Sequence, residues 1–124
     1  MVWLGRGAKG KNVTSGEGFD LSSLDLPGKQ LDLLKAVKAT GKPVVVVLIT
    51  GKPLVMTWAK EHADAVVLQF YGGEQQGNAM ADVLLGKVNP SGRLNVSFPR
   101  STGNTPCYYN YATIYFIVPT VLYN

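Results

Sequence analysis

A short segment near the amino terminus, residues 15–20, holds residue types that could perform acid catalysis. It reads Ser-Gly-Glu-Gly-Phe-Asp and places Glu17 between two glycines, with Phe19 and Asp20 close behind. Glycines let a ligand approach the backbone, and an apolar neighbour or a like charge raises the pKa of a carboxyl group. A glutamate in such surroundings can act as a general acid. The same pattern also fits a solvated acidic loop, so the segment alone does not assign a chemistry.

A glycine pattern at residues 5–10 matches the G-x-G-x-x-G fingerprint of dinucleotide-binding proteins. That site needs a helix to begin at the third glycine, because the helix N-terminus holds the pyrophosphate. Residues 11–16 read Lys-Asn-Val-Thr-Ser-Gly and predict a loop instead. Asp25 follows the glycines at about the sequence separation expected of the acidic residue that contacts the ribose. It precedes a predicted helix, however, whereas that acidic residue should end a strand. The pattern therefore argues against a nucleotide-binding module, which is kept only as a minor alternative.

The composition fits one globular domain and argues against nucleic acid as a partner. The chain has 124 residues, of which 46% are hydrophobic, and this is enough to bury a single core. Its net charge of +4 comes from basic residues that are mostly scattered. Nucleic-acid binding would favour basic residues interleaved with exposed aromatic ones, but here the aromatic residues cluster toward the carboxyl terminus.

Metal, cofactor and membrane binding are not expected either. The chain has one cysteine, Cys107, and one histidine, His62, so a zinc site lacks ligands. A surface or capping role is the expectation for His62. The longest apolar run, residues 44–49, is far shorter than the roughly 20 residues of a membrane helix. No signal-peptide pattern opens the sequence, which leaves the compartment undetermined.

The hydrophobic pattern predicts strands that alternate with helices. The expected elements are a strand at 2–4, a long loop to about residue 23, a helix capped by Asp25 and ended by Gly41, a buried central strand at 44–49, a short helix at 53–60, a strand at 65–70, a helix at 74–85 and a half-exposed strand at 94–98. This order predicts a three-layer α/β/α sandwich with a mostly parallel, flavodoxin-like sheet. Ligands of such sheets gather at the carboxyl ends of the strands, where the loop with Glu17 would begin.

Several motifs in combination make the sequence recognisable. Besides residues 15–20, they are Leu-Asp-Leu-Pro-Gly-Lys-Gln at 24–30, Tyr-Gly-Gly-Glu-Gln-Gln-Gly-Asn-Ala at 71–79, Ala-Asp-Val-Leu-Leu-Gly at 81–86, Asn-Pro-Ser-Gly-Arg-Leu at 89–94 and Phe-Pro at 98–99. In this order they resemble the C-terminal α/β sandwich domain of glycoside hydrolase family 3, which includes β-glucosidases and β-xylosidases. The resemblance covers about residues 2–111.

The resemblance implies an enzyme that hydrolyses β-linked glucosides or related sugars with retention of configuration. Glu17 falls on the family's acid/base glutamate, and Phe19 and Asp20 are expected to line the same site. The nucleophile would be an aspartate on a separate barrel domain, which is the implied partner. Without that domain we expect little or no turnover, because retaining hydrolysis needs both carboxyl groups. The resemblance is compatible with a periplasmic or secreted protein.

The chain departs from the family pattern at three places. Asp20 is followed by Leu21 where the family commonly has arginine, and Gly72 stands where the family has proline, which removes a fixed φ. The third departure begins after Tyr111, where the sequence no longer follows the family pattern. The domain is for this reason expected to span 1–111, followed by a divergent apolar tail at 112–124. The tail has high β-propensity and no charge, so we expect it either to fill a vacant sheet edge or to mediate self-association.

A rival interpretation from another class is a non-catalytic carbohydrate-binding or interaction module built on the same fold. It would bind glucosides weakly without hydrolysing them, and replacement of Glu17 would leave that binding unchanged. Because a fold does not by itself determine a function, both interpretations stay open at this point.

Overall fold

The computed structural model describes residues 23–107 in full and the backbone of Val2–Gly5 and Val121–Tyr123. The elements alternate as the sequence predicts. In chain order they are β1 (Val2–Gly5), α1 (Gln30–Lys38), β2 (Val45–Ile49), α2 (Thr57–His62), β3 (Ala65–Gln69), α3 (Gln76–Leu84) and β4 (Val121–Tyr123).

These strands form one mostly parallel sheet in the order β1-β2-β3-β4. β1 and β3 lie parallel on either side of β2, and β4 pairs with β3 in the antiparallel direction. The pairing aligns Gly5 with Ile49 and Ile49 with Gln69, so the first three strands end side by side. The predicted fold class is confirmed.

β2 is buried on both of its faces. Val46 and Leu48 point to one face and Val47 to the other, since side chains alternate along a strand, and each is at most 1% exposed. A continuous apolar run rich in β-branched residues suits such a position, because neither face has to present polar groups to water. The prediction of a central strand at 44–49 is confirmed, with the strand beginning at Val45.

The helices cover this sheet from two sides. Leu34 of α1 and Ala59 of α2 belong to the same core cluster as Val46 and Leu48, so both helices lie on that face. Gln69 aligns with Ile49 and therefore points to the opposite face, where its Nε2 donates to the backbone oxygen of Gln76 at the start of α3 (2.9 Å). α3 thus begins on the other side of the sheet, which gives the three layers.

α1 begins later than the sequence predicts. Asp25 was expected to cap the helix, but the helix starts at Gln30 and its N-cap is Lys29, which makes no side-chain capping hydrogen bond. Asp25 instead forms a local turn with Ser23, whose hydroxyl donates to Asp25 Oδ2 (2.7 Å). Gly28, with φ of 60°, lies between this turn and the helix, and helical backbone cannot continue through such a residue.

The helix predicted at 53–60 is displaced to Thr57–His62. The residues before it have a tertiary role that excludes helical hydrogen bonds. Leu54 is fully buried in the core, and the backbone N–H of Val55 donates to the carbonyl of Leu24 (2.8 Å). The helix predicted at 74–85 is likewise shorter, Gln76–Leu84, so Glu74 precedes it rather than standing in its first turn.

The strand predicted at 94–98 is wrong. These residues form bends and irregular backbone, and Phe98 packs against the core cluster. An alternating pattern can form a strand only where a neighbouring strand offers free hydrogen-bonding groups. β2 and β4 occupy the two sides of β3, so residues 94–98 cannot pair there.

The place beside β3 is filled from the carboxyl-terminal tail. Val121 aligns with Val67, and Tyr123 aligns with Ala65. This pairing agrees with the first of the two expectations for the tail, that it fills a sheet edge. Self-association through residues 112–124, and a domain boundary at 111, stay predictions.

One exposed carboxylate joins three elements at the amino ends of the central strands. Asp64 Oδ2 accepts from Lys38 Nζ at the end of α1 (2.8 Å) and from the backbone N–H of Val44, just before β2 (2.7 Å). The hydrogen bond from Lys38 and that from the Val44 N–H lower the pKa of Asp64. Asp64 thereby ties the turn before β3 to α1 and β2.

Two adjacent leucines of α1 provide a matched test of the core. Leu34 is fully buried, whereas Leu33 is 52% exposed. Leu34→Ala should lower the free energy of unfolding by about 2–5 kcal/mol, because it leaves a cavity in a packed core, and Leu33→Ala should change it by less than about 0.5 kcal/mol. Urea denaturation of the two variants measures the difference, and similar values would contradict this packing.

The Asp64 contacts predict a pH-dependent stability. Because the pKa in the folded state lies below the usual value of 3.8, ionised Asp64 stabilises the fold above that pH. This stabilisation is lost as the pH falls through the folded-state pKa. Asp64→Asn should therefore have a lower melting temperature than the unmodified chain near neutral pH, and the difference should shrink below pH 3.8. A difference that is the same at all pH values would argue against this role.

Candidate functional site

The carboxyl ends of β1, β2 and β3 meet at one edge of the sheet, and the candidate site lies there. Gly5, Ile49 and Gln69 are aligned across the three parallel strands. The segments that follow these residues therefore leave the sheet from neighbouring positions. In open α/β sheets this edge is where ligands bind.

The predicted site residues Glu17, Phe19 and Asp20 lie outside the described residues. The structure does fix both flanks of the segment that contains them. Gly5 ends β1 at the carboxyl edge. Beyond the segment, the Leu24 carbonyl accepts from the Val55 N–H (2.8 Å), and the Leu24 N–H donates to Thr102 Oγ1 (3.2 Å).

The end of β2 is held by a buried threonine. Thr50 is fully buried, and its hydroxyl donates to the carbonyl of Lys52 (2.8 Å) while accepting from the Lys52 N–H (3.2 Å). Its own N–H donates to the Gln69 carbonyl (3.3 Å), which ties it to β3. These bonds satisfy the hydroxyl and fix the backbone around Gly51.

Gly51 supports an exposed aromatic ring from the end of β3. A Cβ atom at Gly51 would lie 2.6 Å from Cε2 of Tyr71, so the ring edge occupies space that another residue would fill. The Tyr71 side chain is nevertheless 55% exposed. The carboxyl edge thus presents an aromatic surface held against the turn after β2.

The turn between β3 and α3 is fixed by the side chain of Gln76. The Gly72 N–H donates to Gln76 Oε1 (3.2 Å), and the Gln76 N–H donates to the Gly73 carbonyl (3.2 Å). Gly73 has φ of 71°, a conformation that favours glycine. Replacement of the family's proline by Gly72 was expected to loosen this turn. The hydrogen bond from the Gly72 N–H, which proline could not donate, constrains the turn.

Gln69 carries a buried acceptor at this edge. Its Nε2 donates to the Gln76 carbonyl (2.9 Å), but its Oε1 is buried and lacks a hydrogen-bond partner. A buried acceptor without a partner costs free energy, because it has lost its bond to water.

A shallow groove of about 350 Å³ lies beside the far flank of the Glu17 segment. It is lined by uncharged side chains, which are Leu24, Pro53, Asn95, Val96, Ser97, Pro99, Thr105 and Cys107. The lining lacks carboxylates and imidazoles, so it does not provide an acid/base pair.

The one histidine of the sequence, His62, has a structural role. His62 ends α2, and its ring stacks on Trp58 with centroids 4.3 Å apart while Nδ1 lies 2.9 Å from the Trp58 carbonyl oxygen. Trp58 in turn packs against the core.

Among residues 23–107, no cluster of three or more His, Cys, Asp or Glu side chains could hold a metal ion. Nor does the described part of the chain contain a helix long and apolar enough to cross a bilayer.

Tyr71 is not among the site residues predicted from the sequence. It follows a buried strand and precedes two glycines, so it reads as the end of the core. A signal was present, since aromatic residues directly after a parallel strand stand at the ligand-binding edge. The contact with Gly51 depends on two separate turns and could not be predicted from either one.

Comparison with known proteins identifies the relatives of the chain. The family model described as the glycosyl hydrolase family 3 C-terminal domain matches residues 6–124. A periplasmic β-glucosidase of Salmonella typhimurium is 46% identical over 95 residues, which are 77% of this chain and 12% of that protein. A β-xylosidase of Formosa agariphila is 47% identical over 96 residues, 77% of this chain and 13% of its own length.

Two solved structures of β-glucosidases are also similar to this chain. A β-glucosidase from Listeria innocua in complex with glucose superposes with a TM-score of 0.78 at 36% identity, covering 96% of this chain and 18% of that one. A β-glucosidase from Kluyveromyces marxianus has a TM-score of 0.72 at 38% identity, covering 84% and 12%. The chain spans about an eighth of the length of the curated relatives, 12% and 13%.

The buried amide of Gln69 predicts losses of stability that differ in size for two substitutions of similar volume. Gln69→Met loses the bond to Gln76 but also removes the unpartnered oxygen, so the free energy of unfolding should change by no more than about 1 kcal/mol. Gln69→Glu replaces the donor with a carboxylate that faces the Gln76 carbonyl, and it should cost roughly 2 kcal/mol or more. Urea denaturation at neutral pH compares them, and equal stability of the two variants would contradict the geometry.

Proposed function

The chain belongs to the C-terminal domain family of glycosyl hydrolase family 3, and on that premise we propose that it supplies the general acid/base of a retaining β-glycosidase. The proposed acid/base is Glu17. The observation that carries the proposal is the place where its segment leaves the sheet. Gly5 ends β1 at the carboxyl edge, beside the ends of β2 and β3, and the segment that contains Glu17 follows Gly5 in the chain.

The proposed reaction has two steps and uses two carboxyl groups. In the first, a nucleophilic aspartate attacks the anomeric carbon while Glu17 protonates the departing glycosidic oxygen. A covalent glycosyl-enzyme forms, and the leaving group departs as an alcohol. In the second, Glu17 takes a proton from water, which displaces the aspartate and regenerates both carboxyl groups. The sugar is released with its original anomeric configuration.

The nucleophile is proposed to come from a separate barrel domain. Retaining chemistry requires the two carboxyl groups to lie about 5–5.5 Å apart, so the barrel must dock against the carboxyl edge. Docking also excludes water, which strengthens the electrostatic interactions within the site. In the absence of a barrel we expect little or no turnover by this chain.

The proposed substrates are β-linked glucosides or the related β-xylosides. The relatives include a protein named β-glucosidase and another named β-xylosidase, so the choice between these sugars stays open. Phe19 and Asp20 are proposed to line the site beside Glu17. An aromatic ring there can contact the apolar face of a sugar, and a carboxylate can accept hydrogen bonds from hydroxyl groups.

The acid/base role of Glu17 predicts a dependence on the leaving group. The test grafts the whole chain into the Salmonella periplasmic β-glucosidase in place of the matching segment, which is 46% identical. Glu17→Gln in this chimera should lower kcat/KM for methyl β-glucoside by about 10²–10⁴-fold, because methanol must be protonated as it leaves. Dinitrophenyl β-glucoside, whose leaving group needs no proton, should lose much less in its glycosylation step. Steady-state and burst kinetics measure both.

A matched control and a rescue accompany this test. Glu61→Gln removes an exposed carboxylate of α2, away from the carboxyl edge, and should leave kcat/KM within twofold of the chimera. Azide should restore turnover of Glu17→Ala by displacing the aspartate directly, with β-glucosyl azide as the product, since an anion needs no general base. Equal losses for both substrates, or no loss, would reject the assignment. Sugar binding that does not depend on Glu17, without turnover, would support a non-catalytic binding module.

A further inference from the structure

The Tyr71 ring is the feature of the carboxyl edge that the proposed chemistry does not use. Tyr71 is a large, 55% exposed side chain beside the ends of the parallel strands. The other strongly exposed apolar side chains of the described region include Leu85, directly after α3, and Val88 beyond it. Tyr71 lies before α3 begins, whereas these two residues lie after it ends.

The ring lies against Gly51, and hydrogen bonds fix the backbone turns on both sides of this contact. Gly51 leaves room for it, and the Thr50 hydroxyl fixes the turn that contains Gly51 through its bonds with Lys52. On the Tyr71 side, the Gly72 N–H bond to Gln76 Oε1 fixes the following turn. An aromatic side chain positioned in this way loses little conformational entropy when a ligand binds, and so contributes more to affinity than a mobile one.

We propose that Tyr71 binds the sugar on the leaving-group side of the scissile bond, an inference that rests on the proposed acid/base function. In a retaining reaction the nucleophile attacks opposite the leaving group, whereas the acid must reach the oxygen that bonds the leaving group. The domain that carries the acid therefore borders the leaving group. Tyr71 is a fixed aromatic surface on that domain, at the edge where the Glu17 segment begins.

The chemistry of the surface suits a sugar. The apolar C–H face of a pyranose can pack on the ring, which combines apolar area with a polar hydroxyl. The turn after Tyr71 carries the exposed residues Glu74 and Gln75, and their side-chain oxygens can accept hydrogen bonds from sugar hydroxyls. Tyr71 would thus contribute to the preference for sugar over non-sugar leaving groups.

The test is binding of the β-linked disaccharide cellobiose to the full chain, followed by amide NMR shifts. Tyr71→Ala should weaken binding about three- to tenfold, as expected for loss of one aromatic contact, and Tyr71→Phe should retain it. Gly51→Ala approaches the same ring independently, because its Cβ would lie 2.6 Å from the ring and displace it. Leu85→Ala, which removes a 71% exposed side chain elsewhere, is the matched control and should have no effect.

Several outcomes overturn the inference. These are cellobiose binding that is unchanged in Tyr71→Ala and Gly51→Ala while both variants keep dispersed spectra, a loss of equal size in Leu85→Ala, or no saturable shift in the unmodified chain. The result is separable from the acid/base test. Binding that depends on Tyr71, together with turnover indifferent to Glu17, would reject the acid/base role alone. Glu17-dependent turnover with binding indifferent to Tyr71 would reject this inference alone.

Discussion

Because β2 exposes neither face to solvent, the remaining elements are constrained to cover it. Val46 and Leu48 require α1 and α2 on one side, and Val47 requires a covering layer on the other. The same strand provides the pairing edges for β1 and β3, so their register follows from its own. The alignment of three carboxyl ends, on which the candidate site depends, is thus a consequence of how one apolar strand is buried.

The proposed chemistry divides one reaction between two folding units. An acid/base carboxyl on this domain and a nucleophile on another must be positioned within hydrogen-bonding distances of one substrate. Such precision requires that the edge facing the partner be rigid before docking occurs. The buried Thr50 hydroxyl and the Gln76 side chain provide this rigidity, since each fixes a turn that leaves the sheet at this edge.

The sequence predicted the parts of the fold that depend on local pattern. The apolar run at 44–49 identified the central strand, because a strand buried on both faces needs no polar alternation. The predicted helix start at Asp25 was wrong, because the Asp25 side chain accepts a hydrogen bond from Ser23 in a local turn that competes with helix capping. The strand predicted at 94–98 was wrong for another reason: an alternating pattern does not reveal whether a neighbouring strand has free hydrogen-bonding groups.

The candidate site was also predictable only in part, because some of its contacts join residues that are distant in the sequence. Residues 15–20 could be found because their chemistry is contained in one contiguous segment. The aromatic surface at Tyr71 combines the absence of a side chain at Gly51 with a turn fixed by Gln76, and these residues lie on two separate turns of the chain. Contacts of this kind follow from the register of the sheet and not from spacing along the sequence.

The hydrogen bond between Gly72 and Gln76 has a consequence for how this sequence can evolve. A proline at position 72 would fix φ but would leave Gln76 Oε1 without its donor, whereas glycine supplies the donor and leaves φ free. The turn can therefore be constrained either through the backbone ring or through the side chain of residue 76. A change at one position alters the selective value of the side chain at the other, so the pair is expected to be exchanged together.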